Sequence, residues 1–236
     1  MSDTTNLSLP LLSPSQAQKT VTVNEALARL DGLVQLVLVS RSAATPPVSA
    51  PEGACYGVPG GAVNDWAGQD GRLAVFVNGG WAFVTPRRGW RAFVADENAL
   101  ALHDGSAWQP GALALSSSGA ATFARIDKFT HAIATGPTSM TSYQTPDGSM
   151  VIAVTARVLA TISGSLTGWQ LGNVGAEDRF GTGLGLPVGS YARGMLSAPL
   201  TYYGATSLVL TAQGGSFSGG TVRFAVHYLD LGLPGL

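Results

Sequence analysis

The chain is short of charge, of lysine and of cysteine, and each shortage excludes something. Charged residues make up 11% of its 236 residues, the formal net charge is −1, and lysine occurs only at Lys19 and Lys128. No general attraction to nucleic acid or anionic lipid follows from that balance, so nucleic acid is not an expected partner. Cys55 is the only cysteine, which excludes an internal disulfide and every multi-cysteine metal cluster. No electropositive helix start can be argued beside it, so it reads as a small buried residue and not a reactive thiol. The run Met1-Ser2-Asp3-Thr4-Thr5-Asn6 has no basic residues and no long apolar stretch, so no signal peptide is expected. The longest apolar run, Leu33 to Val39, contains Gln35 and falls far short of the roughly 20 residues that span a bilayer. The expectation is cytoplasmic synthesis without membrane insertion.

Glycine, by contrast, is abundant at 31 residues. Frequent glycine turns with little charge suggest a β-rich protein that hides part of its surface in an assembly. Four of the five tryptophans stand at turn-like positions: Asp65-Trp66, Gly80-Trp81, Gly89-Trp90 and Ala107-Trp108. Between them run the alternating segments Leu73 to Val77 and Trp81 to Val84, so residues 53–110 read as a small β-meander. Its tryptophans either pack the module or form a binding face; Trp66 and Trp108, nearest the loops, are the better candidates for exposure.

Ahead of this module, Ser13-Pro14-Ser15-Gln16 reads as a capped helix start, and Asn24-Glu25 as a second. Leu27, Leu30, Val34 and Val37 then follow helical spacing, with Leu33 and Leu36 widening the face. That face is too broad for a lone surface helix and needs a partner. Residues 1–41 are therefore an attachment segment, with Leu9, Pro10, Leu27, Leu30, Val34 and Val37 as candidate oligomer or capsid contacts. Residues 42–52 and 111–122 read as linkers.

Residues 123–236 read as strands separated by glycine turns. Met150 to Val158 is one strand, or two joined by a bulge, and Leu208 to Leu210 is a short buried strand. Thr221 to Tyr228 alternates with Val222, Phe224, Val226 and Tyr228 on one face. The fold class is mainly β with an N-terminal helical segment: a meander module followed by an antiparallel, jelly-roll-like β-sandwich. The stretches 181–189 and 214–220 are expected as exposed loops.

Catalytic patterns are weak. His103, His131 and His227 each lack a second ligand at zinc spacing. Gly215-Ser216-Phe217-Ser218-Gly219 misses the spacing of a nucleophile elbow. Glu177 and Asp178 are adjacent and on a strand would point to opposite faces, whereas glycosidase carboxylates converge. No cofactor, metal or catalytic residue is expected. In the last domain Trp169, Asp178, Tyr191, Arg193, Tyr202 and Tyr203 combine aromatic rings with hydrogen-bonding charge, which suits sugar contact; sandwich core and subunit interface are the competing roles.

One resemblance goes further. Leu9-Pro10, Ser15-Gln16-Ala17-Gln18-Lys19, Val21-Thr22, Asn24-Glu25-Ala26-Leu27, Leu30-Asp31 and Leu33-Val34-Gln35 form a distinctive series. Together with Gly89 to Glu97, it resembles, over residues 7–110, a family of phage-derived proteins of unknown function found in prophages and gene transfer agents. The C-terminal part is similar, more loosely, to terminal domains of phage tail-fibre proteins. The resemblance implies a non-enzymatic virion component at the surface of a phage-like particle made in a bacterium: a head-spike base that anchors to the capsid. Its implied partners are capsid and spike-fibre proteins, sister copies (a pentamer before a trimer) and host capsular polysaccharide. A particle-borne polysaccharide depolymerase and a tail-fibre receptor-binding protein are the alternatives.

Overall fold

In a computed structural model, which describes residues 3–12 and 19–235, the chain divides after Leu115 into two units. In the first, α1 (Lys19–Leu33) runs unbroken through Val21, Thr22 and Val23. The second helix start expected at Asn24-Glu25 is therefore absent. Each β-branched residue costs a helix less than about 1 kcal/mol, too little to break one that also packs. The start expected at Ser13 to Gln16 lies outside the described residues.

The helix stops at Leu33, Gln35 takes a left-handed φ of 55°, and Val37 belongs to β1 (Val37–Leu38). The helical spacing read through Val37 thus joins a helix, a turn and a strand. The physical reason is that Leu33 to Val39 satisfies both periods. In the structure period two wins: Leu36 and Leu38 are buried, whereas Val37 and Val39 are exposed. α1 approaches the sheet at Gly32, where a Cβ would stand 2.6 Å from Val75 Cγ1. Only glycine lets the helix lie this close.

The sheet beneath it contains β2 (Cys55–Gly57), β3 (Leu73–Val77), β4 (Gly80–Val84), β5 (Arg91–Val94), β6 (Ala99–His103) and β7 (Trp108–Pro110). Its order is β4-β3-β2-β1-β5-β6-β7. The meander expected over residues 53–110 is thus two antiparallel arms with β1 between them, parallel to β2 and to β5. Residues 1–41 and 53–110, expected as separate segments, share one sheet, because β1 supplies the central ladder. Leu38, Cys55, Leu73, Val75 and Val94 pack one core. Tyr56, Val58, Trp66 and Ala74 pack another. β8 (Ala112–Leu115) ends the unit.

The second unit begins with a turn in which the Ser116 N–H donates to Ala120 O at 2.8 Å. Its strands are β9 (Ala121–Ala132), β10 (Thr138–Thr145), β11 (Met150–Gly164), β12 (Gly168–Asn173), β13 (Ala176–Leu184), β14 (Tyr191–Thr201), β15 (Thr206–Gln213) and β16 (Phe217–Leu231). With β8 before this turn and β9 after it, residues 111–122 are not the linker their Ser/Gly composition suggests. One sheet has the order β10-β15-β12-β13, and the long strands of the other run β14-β11-β16-β9, all antiparallel. Val222, Phe224, Val226 and Tyr228 point inward as their alternation predicts. They meet Val154, Ala156 and Val158 of β11, and Trp169, Leu171, Leu208 and Leu210 of the opposite sheet. This is the expected antiparallel β-sandwich.

Met150 to Val158 lies on one long strand with a register shift between Val151 and Ala153, the bulge the sequence allowed for. The glycine-rich stretches 181–189 and 214–220 are not simply loops: β13 continues to Leu184 and β16 starts at Phe217. Their glycines sit where the ladders shift register, beside Gly181 and Gly219. Close approach accounts for another glycine of this unit. A Cβ on Gly194 of β14 would collide with the backbone of Phe180 on β13.

Candidate functional site

The residues with the most chemistry lie on the outer face of the sheet β14-β11-β16-β9. Inward alternation of apolar residues forces the intervening positions outward, and strand register then places them in rows. One row reads Thr130, Arg223, Arg157, Tyr191 across four strands; the next reads Lys128, Ala225, Thr155, Arg193. All of these but Thr130 line a shallow groove of about 310 Å³ that contains Lys128, Arg157, Arg193 and Arg223 and no acidic side chain. These are four of the six cationic side chains in the unit, Arg125 and Arg179 being the others.

Arg157 and Arg223 are direct cross-strand partners. Like charges in that relation repel, at a cost of a few tenths to about 1 kcal/mol. Arg157 reaches the Gly189 carbonyl at 3.4 Å. The Arg157 and Arg193 guanidinium carbons stand 5.9 and 5.6 Å from the centroid of the Tyr191 ring. Among the described residues none of the four cations has a carboxylate partner. The face therefore presents unneutralised cations, two of them planar guanidinium groups beside one aromatic ring, and Tyr191 is 59% exposed.

Of the six residues singled out for sugar contact, the structure brings only Tyr191 and Arg193 together. Trp169 is 1% exposed, its indole N–H donating to Gly185 O at 3.0 Å. Tyr202 is also buried, donating to Asn173 Oδ1 at 2.6 Å. Both are sandwich core and offer no ring face to a ligand. Asp178 is exposed on β13 of the opposite sheet, and Tyr203 is exposed just after β14. Lys128, Arg157 and Arg223 were missed. The signal was available in part, since Arg223 sits at an outward position of the cleanest alternating strand.

The other carboxylates of the unit hold its own fold. Asp127 accepts the Tyr143 and Tyr228 hydroxyls at 2.9 and 3.2 Å, and Asp230 pairs with Arg125 at 3.3 Å. Asp147 accepts the Gly204 N–H at 2.6 Å, and Glu177 accepts the Gly175 N–H at 3.0 Å. His131 Nε2 lies 2.8 Å from Ser139 Oγ, and His227 Nε2 lies 3.3 Å from Thr155 Oγ1. His103 Nδ1 accepts the Gly105 N–H at 3.2 Å, and its ring packs edge-on to Trp108. Burial lowers the pKa of His103 and His131 from the ordinary value. No group of three or more His, Cys, Asp or Glu side chains that could hold a metal occurs among the described residues.

In the first unit the tryptophans pack. Trp66 is fully buried and Trp108 is 7% exposed, so the two that stood as the better candidates for exposure are packed as well. A turn position sets where a side chain leaves the backbone, not whether another strand covers it. The Trp66 ring meets Trp81 at 5.1 Å and Tyr56 at 5.3 Å. Burial pushes the Cys55 thiol up to about 12, in keeping with an inert cysteine. Of the candidate interface residues, Leu30, Val34 and Val37 are 47, 41 and 49% exposed. Pro10 is exposed, and Leu9 and Leu27 are half-buried. Residues 3–10 fold back on the end of the helix, where the buried Asp31 carboxylate accepts Thr4 Oγ1–H at 2.7 Å, Asn6 N–H at 2.8 Å and Leu7 N–H at 2.6 Å.

Residues 23–109 match the family described as a protein of unknown function, DUF2793. The matched span takes in most of α1 and the strands β1 to β6, and ends within β7, so the basic face lies outside it. No curated protein matches the chain. A chain of the cyanophage Pam1 capsid asymmetric unit is similar at 18% identity, over 45% of this chain and 84% of that one, with a TM-score of 0.34. No helix among the described residues is long and apolar enough to cross a membrane.

Proposed function

We propose that this protein is a non-enzymatic component of a phage-like particle, the base of a head spike of a gene transfer agent. Its first unit attaches to the capsid and to sister subunits, and its second supports adhesion to host capsular polysaccharide. The observation that carries the adhesive role is the outer face bearing Tyr191, Arg157, Arg193 and Arg223. Guanidinium forks donate to hydroxyl and carboxylate oxygens, and an exposed tyrosine ring covers the apolar face of a sugar. The groove is shallow and lies on a rigid sheet, which suits gripping a polymer more than enclosing a small substrate.

Attachment is supported by the resemblance of residues 7–110 to phage-derived proteins and by the solvent-facing Leu30, Val34 and Val37. Copies around a symmetry axis, five at a particle vertex, would cover that apolar surface. The non-enzymatic reading draws on the carboxylates: four of the five in the second unit are engaged in its own turns and networks, and only Asp178 stands apart.

The test uses labelled full-length protein on encapsulated cells and on capsule-free cells of the same strain, with its oligomeric mass measured by light scattering. Retention on encapsulated cells alone and a fivefold multiple of the 24.1 kDa chain are the expected results. Equal retention on both cell types overturns the adhesive role, and a monomer overturns the attachment surface. Release of reducing ends from purified capsule, lost on Asp178→Ala, would make the protein a depolymerase instead.

A further inference from the structure

The class of glycan follows from the same face. Resting on the adhesive reading above, we propose that the outer face of the second unit selects a negatively charged polysaccharide, one bearing carboxylates or sulfate esters, and rejects a neutral one. A neutral glycan needs donors and acceptors in mixture, with carboxylates or amides to receive its hydroxyl protons. This groove holds four cations, one tyrosine and no acid. The cross-strand pair Arg157 and Arg223 works against the fold unless something neutralises it, and no carboxylate among the described residues does. The second unit owns five acids, yet none lines the groove. Its charge is segregated by face, although its net charge is close to zero.

The geometry favours a glycan over a nucleic acid. The four cations spread across four strands, a width of roughly 14 Å at about 4.8 Å per strand spacing. Proteins that grip a phosphate backbone can make roughly six to ten such contacts, more than this face offers. Four cations, two of them side by side, instead match the sparser acid groups of a sugar chain. Tyr191, flanked by Arg157 and Arg193, gives the ring between two acid groups an aromatic surface to lie on.

Full-length protein is titrated with polygalacturonate, dextran sulfate, uncharged dextran and a random-sequence DNA duplex. The wild type is compared with Arg157→Gln/Arg223→Gln and with Arg193→Gln. The expected result is binding to polygalacturonate or dextran sulfate, whichever carries the matching acid, with at least a tenfold loss in the double variant and a smaller loss in Arg193→Gln. Affinity for the bound polymer falls as salt rises, with a shallower slope in the double variant. The double variant stays folded and melts close to wild type, because relief of the repulsion offsets the loss of Arg157's contacts with the Gly189 carbonyl and the Tyr191 ring; a variant that binds poorly while fully folded has lost charge and not structure. Equal binding of dextran, tighter binding of the DNA, or full binding by the double variant overturns the proposal. If the double variant still adheres to encapsulated cells as well as wild type does, charge selection falls and the adhesive role stands. If polymer binding depends on the arginines but wild type ignores encapsulated cells, the adhesive role falls alone.

Discussion

Asp31 offers the sharpest test of how the N-terminal segment is held. Its carboxylate is 3% exposed and accepts three hydrogen bonds, from Thr4, Asn6 and Leu7. Hydrogen bonds to an ionised acceptor contribute about 1.5–3 kcal/mol each. Their sum overstates the loss, because the Asn6 side is solvent-facing and its amide can turn to water. The few residues set free also regain some chain entropy, which offsets part of the loss. Asp31→Ala should therefore cost about 2–4 kcal/mol at neutral pH, and Asp31→Asn, which keeps one acceptor oxygen, about half of that. Urea unfolding read by tryptophan fluorescence reports on this unit, since four of the five tryptophans belong to it. Burial by itself would raise the Asp31 pKa, but the bonds from Thr4, Asn6 and Leu7 more than offset it and leave the group below 3.8. A depressed folded value means that the stabilisation is present above 3.8 and is lost as pH falls through the folded value. The gap between wild type and Asp31→Asn should therefore be full at pH 6 and shrink below about pH 4. A cost under about 0.5 kcal/mol for Asp31→Ala, or a gap unchanged at pH 3, would refute the reasoning.

Trp66→Ala should destabilise the first unit by about 3–5 kcal/mol, because a fully buried indole leaves a cavity. Trp66→Phe should cost far less, about 1.5 kcal/mol or under, since the indole N–H it removes has no hydrogen-bond partner among the described residues; equal losses in the two variants, measured by chemical denaturation, would contradict the packing described. Cys55 is 2% exposed with its thiol raised to about 12, so it should react with an aromatic disulfide reagent at pH 8 only after denaturant is added. Prompt colour in native buffer would show that β2 opens.

Much of the architecture was legible because alternation is local. Val222, Phe224, Val226 and Tyr228 announce both the strand and its buried face, and the second unit is the sandwich such strands require. Leu33 to Val39 was not legible, because the same leucines and valines satisfy a helical and a strand period. Only the place open beside β2 and β5 decides between them. Trp169 and Tyr202 stayed open between sugar contact, sandwich core and interface for the corresponding reason: glycine-rich surroundings resemble loops until the ladders are drawn. The DUF2793 match bears on the first unit alone, so the part of the chain with the clearest chemistry had to be read from its own geometry.

By itself the sequence determined the fold class, the inward faces of the long strands, the absence of disulfides and the low charge that leaves few ways to hold an anion. These follow from composition and from contacts between near neighbours in the chain. Tertiary structure alone decided that Arg157 and Arg223, 66 residues apart, stand side by side, that Lys128 and Arg193 complete their face, and that Trp66 lies buried. Strand register carries that information, and it is set by the packing of the whole sheet: a slip of one residue on β16 would turn Arg223 into the core and Phe224 into water.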